Sequence, residues 1–436
     1  MVERHHDADA DADGHYPEDG TVDPDDVLLA REETFYDDRG QVYRTRTHAV
    51  DPADGTVGAY LEGNTWYDAA GNAVKQQSAG ARSFTKSTYD GLGRAVRQYT
   101  GYDDAETTYA EVLTVEGDTI LQQQEAVYNE AGSVVFSTTW RRMDDATGTG
   151  ALSAPDGEQP IARVSYTAAW YDELGRTTAT ADYGTGGGVP PVRPAAAPLR
   201  SDTVLVSETR YNDRGEAFAT IDPAGVESRT ESDAAGRQIR AIQNYQADSD
   251  AEDENVTVEM AYNADGNLRT LTAKNPATGD QVTRYVYGSH LGVDSPLICR
   301  NDLLRAEIYP DSDDTPDLGD GADGVFDRVE YEYNRLGETI QKKDQNGTVH
   351  TYDYDPLGRQ VGDRVTELGE GVDGAVRRIE RTFEVRGLPE TITSFDSPTS
   401  GGVVNQVKME YNSFGQLISD YQEHAAVVSV GTSPGN

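Results

Sequence analysis

Alternating aspartates near the start of the sequence have the residue types and spacing that could bind calcium. In Asp9-Ala-Asp-Ala-Asp-Gly, the aspartates Asp9, Asp11 and Asp13 match the first, third and fifth positions of a calcium loop. The twelfth position, where such a loop needs a bidentate Glu, is Gly20. The loop is therefore incomplete.

A second acidic cluster begins with Asp311-Ser-Asp-Asp-Thr-Pro. Asp311 and Asp313 have calcium-loop spacing, but Pro316 stands where the loop needs the glycine of its sharp turn. The seven histidines are scattered and show no His-x-x-x-His spacing. We therefore predict no metal site, and the aspartates of these two clusters are the residues that calcium would use if it bound.

No set of residues has the pattern of a catalytic site. Gly431-Thr-Ser-Pro-Gly has the spacing of a nucleophile elbow, which needs a helix after the serine, and the sequence stops at Asn436. The glycine run from Gly184 leads into Val189-Pro-Pro, which cannot open the helix of a phosphate loop, so it is interpreted as a linker. The single cysteine, Cys299, excludes a disulfide framework, and nothing selects two of the 77 carboxylates as a glycosidase pair. We predict no enzymatic activity and no cofactor.

The elements that must position these residues are short strands and turns. Residues 349–354 alternate β-branched or aromatic residues with polar ones, which is typical of a strand. Asp355-Pro-Leu-Gly then fits a type I turn closed by a bulge, in which Gly358 adopts a positive φ. A returning strand follows from Val361.

The pattern of Tyr, Asp or Asn, two free residues and Gly recurs along the chain, with weaker copies beginning at Ser232 and Phe383. The predicted turn glycines are Gly40, Gly71, Gly93, Gly132, Gly175, Gly215, Gly236, Gly266, Gly337, Gly358, Gly387 and Gly415.

The shortest steps between copies, from Tyr211 to Ser232 and from Tyr333 to Tyr354, are both 21 residues. A second turn lies midway in each step, at Asp222-Pro-Ala-Gly and Asp344-Gln-Asn-Gly. Each repeat is therefore predicted to contain two strands and two turns, with insertions in the longer copies. A sheet built of that many hairpins must curl.

Four copies continue with Gly-Arg, at Gly93, Gly175, Gly236 and Gly358. With this Tyr-Asp signature the chain resembles the Rhs/YD-repeat family from about Thr34 to Gln422, and the part from Thr283 is most similar to Rhs proteins of planctomycete-type bacteria. Members include polymorphic toxins, insecticidal toxin-complex subunits, wall-associated proteins and teneurins.

The resemblance implies a β-hairpin ribbon that spirals into a hollow shell, which in toxins encloses a cargo domain. It also implies an extracellular or cell-surface location, although the first residues lack the apolar segment of a secretory signal. Either the chain is a fragment, which we favour, or its export is non-classical. The expected partners are further YD repeats or a cargo or toxin domain of the same protein. Glycans or a surface receptor are alternative partners.

The net charge of -40 repels nucleic acid and anionic membrane surfaces, and no apolar span of membrane-crossing length occurs. We predict an acidic, disordered tail at residues 1–30, a repeat array at 31–425 and a second disordered tail at 426–436. The first functional hypothesis is a non-catalytic shell segment. The alternative is an adhesion module that binds carbohydrate or protein through some of its 25 tyrosines. Tyrosine rings that face the lumen would favour the first hypothesis, and an exposed cluster of rings in a groove would favour the second.

Overall fold

The structure, a computed structural model, describes residues 2–6, 27–103, 106, 108–249, 251, 253–289 and 300–429. The described residues form 27 strands, one helical turn and one short 3-10 turn, so the predicted all-β class of tandem antiparallel hairpins is confirmed. Contacts divide the chain into unit 1, Met1–Arg229 with Gln243–Asp250, and unit 2, Thr230–Ile242 with Ala251–Asn436.

In unit 1, each strand pairs antiparallel with the next strand along the chain. Its strands are β1 (Val2–His6), β2 (Val27–Tyr36), β3 (Val42–Val50), β4 (Val57–Tyr67), β5 (Ala73–Gln77), β6 (Ser83–Tyr89), β7 (Ala95–Tyr102), β8 (Thr119–Tyr128), β9 (Val134–Arg142), β10 (Ala162–Tyr171), β11 (Thr177–Asp182), β12 (Leu205–Tyr211) and β13 (Ala217–Ile221). The helical turn α1 (Tyr109–Val112) lies between β7 and β8.

At the division between the units lie β14 (Glu227–Ser232) and β15 (Gln238–Gln243). Unit 2 continues with the same antiparallel pairing between consecutive strands. Its strands are β16 (Val256–Tyr262), β17 (Leu268–Ala273), β18 (Gln281–Ser289), β19 (Arg300–Ile308), β20 (Val329–Tyr333), β21 (Thr339–Lys343), β22 (Val349–Tyr354), β23 (Gln360–Glu367), β24 (Arg378–Phe383), β25 (Pro389–Phe395), β26 (Val403–Tyr411) and β27 (Leu417–His424).

The first strand differs from the sequence interpretation of residues 1–30 as a tail. Residues Val2–His6 pair antiparallel with the start of β2, which itself begins at Val27. The pairing adds main-chain hydrogen bonds that an acidic composition does not reveal. The aspartates of the first calcium hypothesis lie outside the described residues.

Alternation along the strands builds the core of unit 1. In β10, Ala162, Val164, Tyr166, Ala168 and Trp170 are buried, and the residues between them are more exposed. Because successive side chains point to opposite faces of a strand, this pattern covers one face of the sheet.

Two apolar clusters line unit 1. One cluster contains Phe84, Tyr99, Ile120, Leu152 and Ala162. The other contains Ala168, Trp170, Ala179, Ala181 and Val206. Strands outside the two clusters also bury single apolar side chains, such as Val50 on β3 and Ile221 on β13.

The stretch interpreted as a linker packs on the second cluster. The guanidinium of Arg193 lies 4.8 Å from the Trp170 ring centroid and donates to the carbonyl of Ala169 at 2.8 Å. The indole nitrogen of Trp170 donates to the carbonyl of Pro194 at 3.1 Å. The glycine- and proline-rich stretch therefore covers one face of the sheet.

Among the described residues, no helix has the length and apolar composition needed to cross a membrane.

Candidate functional site

The signature turns form the most regular constellation of polar side chains in the described part of the chain. In the first copy, the amide of Gly40 donates to the carbonyl of Asp37 at 3.0 Å, and the amide of Asp37 donates to the carbonyl of Gln41 at 2.9 Å. The register of the hairpin shifts between Phe35 and Tyr36. These features are those of a type I turn closed by a one-residue bulge.

All twelve signature glycines have φ between 76° and 90°. This is the left-handed region, which glycine enters without steric cost. At Gly132 and Gly175 an added Cβ would meet nothing within 4 Å, so the backbone conformation alone requires glycine there. Gly184, in the stretch interpreted as a linker, also has a positive φ of 54°.

The Asp or Asn of each signature holds the turn through its side chain. In the third copy, Oδ1 of Asp90 accepts the amide hydrogens of Leu92 at 2.9 Å and Arg94 at 3.0 Å. Asn212 does the same for Arg214 and Glu216, at 3.0 Å each. Asp and Asn are interchangeable at this position because only the oxygen is used.

The signature tyrosines connect each turn to the preceding repeat. Nine of their hydroxyls donate to a main-chain carbonyl of an earlier strand at 2.6–2.9 Å. In eight of them the acceptor lies two residues after the preceding signature glycine, as in Tyr128 to Ala95 and Tyr171 to Val134. We call this set of bonds the tyrosine ladder.

The arginine after the glycine completes the connection. Arg176 Nε donates to Oδ2 of Asp172 at 2.7 Å, and its guanidinium lies 4.3 Å from the ring centroid of Tyr211 in the next repeat. Arg94 and Arg237 repeat this arrangement on the next signature ring, as Arg359 does on Phe383. A guanidinium on an aromatic face is a favourable cation–π contact.

These arginines lower the pKa of the turn aspartates. Hydrogen bonds from Arg94, Arg176 and Arg237 are the largest cause of the lowered pKa of Asp90, Asp172 and Asp233. The carboxylates stay charged well below neutral pH, which suits a permanent ion pair and not an exchangeable proton.

The second calcium hypothesis concerns a loop whose buried carboxylate pairs with an arginine. Asp311 is exposed, and Oδ2 of Asp313 accepts the amide hydrogens of Ala322 and Asp323 at 2.7 and 3.3 Å. The neighbouring Asp314 is buried and accepts from Nη1 of Arg328 at 2.7 Å.

Arg328 is the main cation of this loop. Its guanidinium also donates to Asp320 at 2.9 Å and Glu330 at 2.7 Å, with its side chain 6% exposed. Burial opposes the charge, but the hydrogen bonds of Asp320, Asp314 and Glu330 outweigh it and raise the pKa of Arg328. In the part of the chain that the structure describes, no group of three or more His, Cys, Asp or Glu has the geometry to hold a metal ion.

The remaining sequence candidates do not converge on a site. Cys299 and the Gly431–Gly435 segment lie outside the described residues. Sequence reasoning identified the turn glycines but missed the acceptors of the tyrosine hydroxyls. The recurrence of Tyr at the start of the signature indicates a repeated role for its side chain, but a main-chain carbonyl carries no residue identity, so no sequence signal names the acceptor.

One shallow cleft carries aromatic side chains. It lies on β3 and β4, has a volume of about 300 Å³, and includes Tyr43, Arg44, Asn64 and Trp66 in its lining. Tyr43 is 37% exposed, so its ring is accessible from solvent.

No protein-family model and no curated protein matches this chain. Solved structures with a similar arrangement include a TcdB2-TccC3 chain, at 14% identity and a TM-score of 0.37, covering 92% of this chain and 23% of that one. The Photorhabdus luminescens Tc holotoxin pore with a TccC3 mutation gives 13% identity and a TM-score of 0.36, covering 92% and 22%. This chain thus spans less than a quarter of the solved chains. Identities and TM-scores this low leave its function to be argued from its own residues.

Proposed function

We propose that this chain is a non-catalytic segment of a β-repeat shell in a secreted or surface protein, where it encloses or displays a cargo or toxin domain. The observation that carries the proposal is the tyrosine ladder. In the ladder, the tyrosine hydroxyls of the recurring signature are used in hydrogen bonds between neighbouring repeats. Bonds of this kind hold an array together, as a scaffold requires.

The charge distribution supports a structural role. The turn aspartates have lowered pKa values and pair with arginines, so they offer no general acid at neutral pH. Repeats that contact their nearest neighbours gain stability additively along an array. The partners of such a segment are further repeats of the same protein and the domain that they enclose.

Limited proteolysis of the full-length protein that contains these repeats tests the proposal. The neighbouring domain should be cleaved slowly in the intact protein and rapidly when Tyr128, Tyr171 and Tyr211 are replaced together by Phe. The Tyr36→Phe variant is the control, because its side chain is 61% exposed. Equal cleavage of the domain in the wild type and as an isolated domain would contradict enclosure.

The aromatic cleft supports a second candidate function, the binding of carbohydrate on β3 and β4. Tyr43 offers a partly exposed ring, and the guanidinium of Arg44, whose Nε donates to Oδ1 of Asn64 at 3.1 Å, offers its remaining nitrogens. Sugar sites combine an aromatic ring with hydrogen-bonding groups. A glycan array should then show binding that Tyr43→Ala removes and Tyr102→Ala preserves, since Tyr102 has a similar exposure of 38% but lies on β7. The absence of any wild-type binding would exclude this function.

A further inference from the structure

Four charged side chains are buried together in unit 1. They are Lys75 on β5, Lys86 on β6, and Glu106 and Asp118 from the segment between β7 and β8. Their side chains are 5%, 4%, 3% and 1% exposed. Removing so many charges from water is costly unless they pair closely, so the cluster requires a specific explanation.

Lys86 is the centre of the cluster. Its Nζ lies 2.7 Å from Oε1 of Glu106 and 2.7 Å from Oδ2 of Asp118. It also donates to the main-chain carbonyls of Thr114 at 2.6 Å and Glu111 at 3.1 Å. Lys75 forms an ion pair with the other carboxylate oxygen of Glu106, so Glu106 bridges the two lysines.

Aromatic rings surround the two amines. Nζ of Lys86 lies 5.0 Å from the ring centroid of Phe84, and Nζ of Lys75 lies 4.6 Å from the same ring and 4.9 Å from that of Trp66. Tyr99 is buried directly across the strand pair from Lys86. The low exposure of the four side chains lowers the polarity around the amines, which favours reaction between groups that are held in contact.

The residue types in this arrangement can form an amide. An amine is held in contact with one carboxyl group, and a second carboxylate lies within reach of the same amine as a proton acceptor. Burial raises the pKa of Asp118, against the opposing effect of Lys86, and the nearby Glu106 and Asp103 raise it further. A carboxyl group that carries a proton is the better electrophile, because it lacks the negative charge that repels a nucleophile and its hydroxyl group can depart as water after one proton transfer.

We propose that Lys86 and Asp118 condense into an intramolecular isopeptide bond, with Glu106 as the positioning and proton-transferring group. Glu106 accepts a proton from the ammonium of Lys86, and the neutral Nζ attacks Cγ of protonated Asp118. The Nζ–Cγ bond forms and one Cγ–O bond breaks. The neutral amine and the protonated carboxyl group carry three hydrogens, of which one stays on the amide nitrogen and two leave with the departing oxygen as one water molecule. Glu106 passes a proton from the attacking nitrogen to the departing oxygen and at the end keeps the one proton that it took from the ammonium. No oxidant or further reactant is needed.

The bond would fasten the segment between β7 and β8 onto the sheet. Lys86 and Asp118 are 32 residues apart in sequence, and a cross-link between them closes a loop that contains α1. A covalent closure of this kind stabilises by restricting the unfolded chain, as a disulfide does. Since the chain has one cysteine, it has no disulfide of its own for this purpose.

Mass spectrometry of the purified, denatured full chain tests the proposal. The intact mass should be lower than the sequence mass by one water, and the missing water should return in Lys86→Arg, Asp118→Ala and Glu106→Gln. Peptide mapping should find the peptides of Lys86 and Asp118 joined and resistant to hydroxylamine. Hydroxylamine resistance separates the link from a succinimide, which also loses water. The exposed pair Lys274 and Asp280 is the internal control and should remain unlinked, because solvent keeps both groups charged.

Three outcomes overturn the proposal. The first is an intact mass equal to the sequence mass, which leaves the cluster as an ion-pair network. The second is a loss of water that persists in Lys86→Arg. The third is a link that joins Lys75 to Glu106. The first outcome needs only the mass of the wild-type chain. The proposal can therefore be refuted even if one of the variants fails to fold.

Discussion

At the scale of single residues, each position of the signature has its own physical task. Glycine adopts the left-handed conformation, Asp or Asn caps the turn through Oδ1, arginine pairs with the aspartate, and tyrosine bonds to the preceding repeat. Gly132 isolates the first task because nothing lies near the place of its missing Cβ. Asp172 allows the charge of the turn carboxylate to be tested separately from its capping oxygen.

The Gly132→Ala variant should lower the free energy of unfolding by about 1–2 kcal/mol, the usual cost of a left-handed conformation for a residue with a Cβ. Gly91→Ala is the matched control, since Gly91 lies in a signature turn, has open space around it and lacks a positive φ. Alanine there should be neutral or stabilising. Urea denaturation of both variants measures the difference, and equal losses would contradict the turn assignment.

The Asp172→Asn variant tests the charge of the turn. Asn still supplies Oδ1 but loses the ion pair with Arg176, whose hydrogen bond lowers the pKa of Asp172. A lowered pKa gives stability that is present above the ordinary aspartate pKa and is lost as the pH falls through the folded value. The variant should therefore have a lower urea midpoint than the wild type at pH 7 and the same midpoint at about pH 2. Asp38→Asn, at an exposed turn position, should match the wild type at both.

At the scale of elements, the insertions are held by buried charges and packed side chains that repeat nowhere else in the described part. The loop between β19 and β20 closes around Arg328, and the segment between β7 and β8 closes around Lys86. In each loop, a buried ion pair joins an acidic residue of the loop to a basic residue on or next to a strand. Their conformation therefore depends on a few charged residues and less on the ladders.

The Arg328→Met variant should cost about 3–5 kcal/mol, because it leaves the carboxylate of Asp314 buried without its partner. Arg240→Met, which removes an exposed pair with Glu231, should barely change stability.

Thermal unfolding in the presence of EDTA should match unfolding without it, since Arg328 supplies the positive charge that a metal would bring. A melting temperature that falls with EDTA and recovers with calcium would instead support the aspartate clusters.

At the scale of the whole molecule, the local part of the fold could be predicted from sequence and the long-range part could not. The turn at Asp355 and the strands beside it follow from residues within a few positions of each other, because hairpin geometry is set by the turn. The contact of Lys86 with Asp118 joins residues 32 positions apart, and no local pattern encodes it. The strand at Val2–His6 was missed for the same reason, since its partner lies in β2.

The tyrosine ladder could be predicted only in part from the sequence. Its spacing was visible in the sequence, yet the partner of each hydroxyl is a main-chain carbonyl, which carries no residue identity. Tyr128 and Ala95 show this, because any residue in place of Ala95 would offer the same acceptor. The pattern therefore predicted a repeat but not the bond that joins one repeat to the next.

Hydrogen exchange of the Tyr262→Phe variant tests the structural role of the signature most directly. The variant keeps the ring under Arg237 and removes only the hydroxyl that donates to the carbonyl of Gln238 at 2.7 Å. A lost hydrogen bond of about 1 kcal/mol corresponds to about a fivefold faster opening of the strands that it joins. Amides of β15 and β16 should exchange faster by this factor while those of β22 and β23 keep the wild-type rates. Unchanged exchange in β15 and β16, or an increase spread evenly over all strands of unit 2, would contradict the role of the tyrosine ladder.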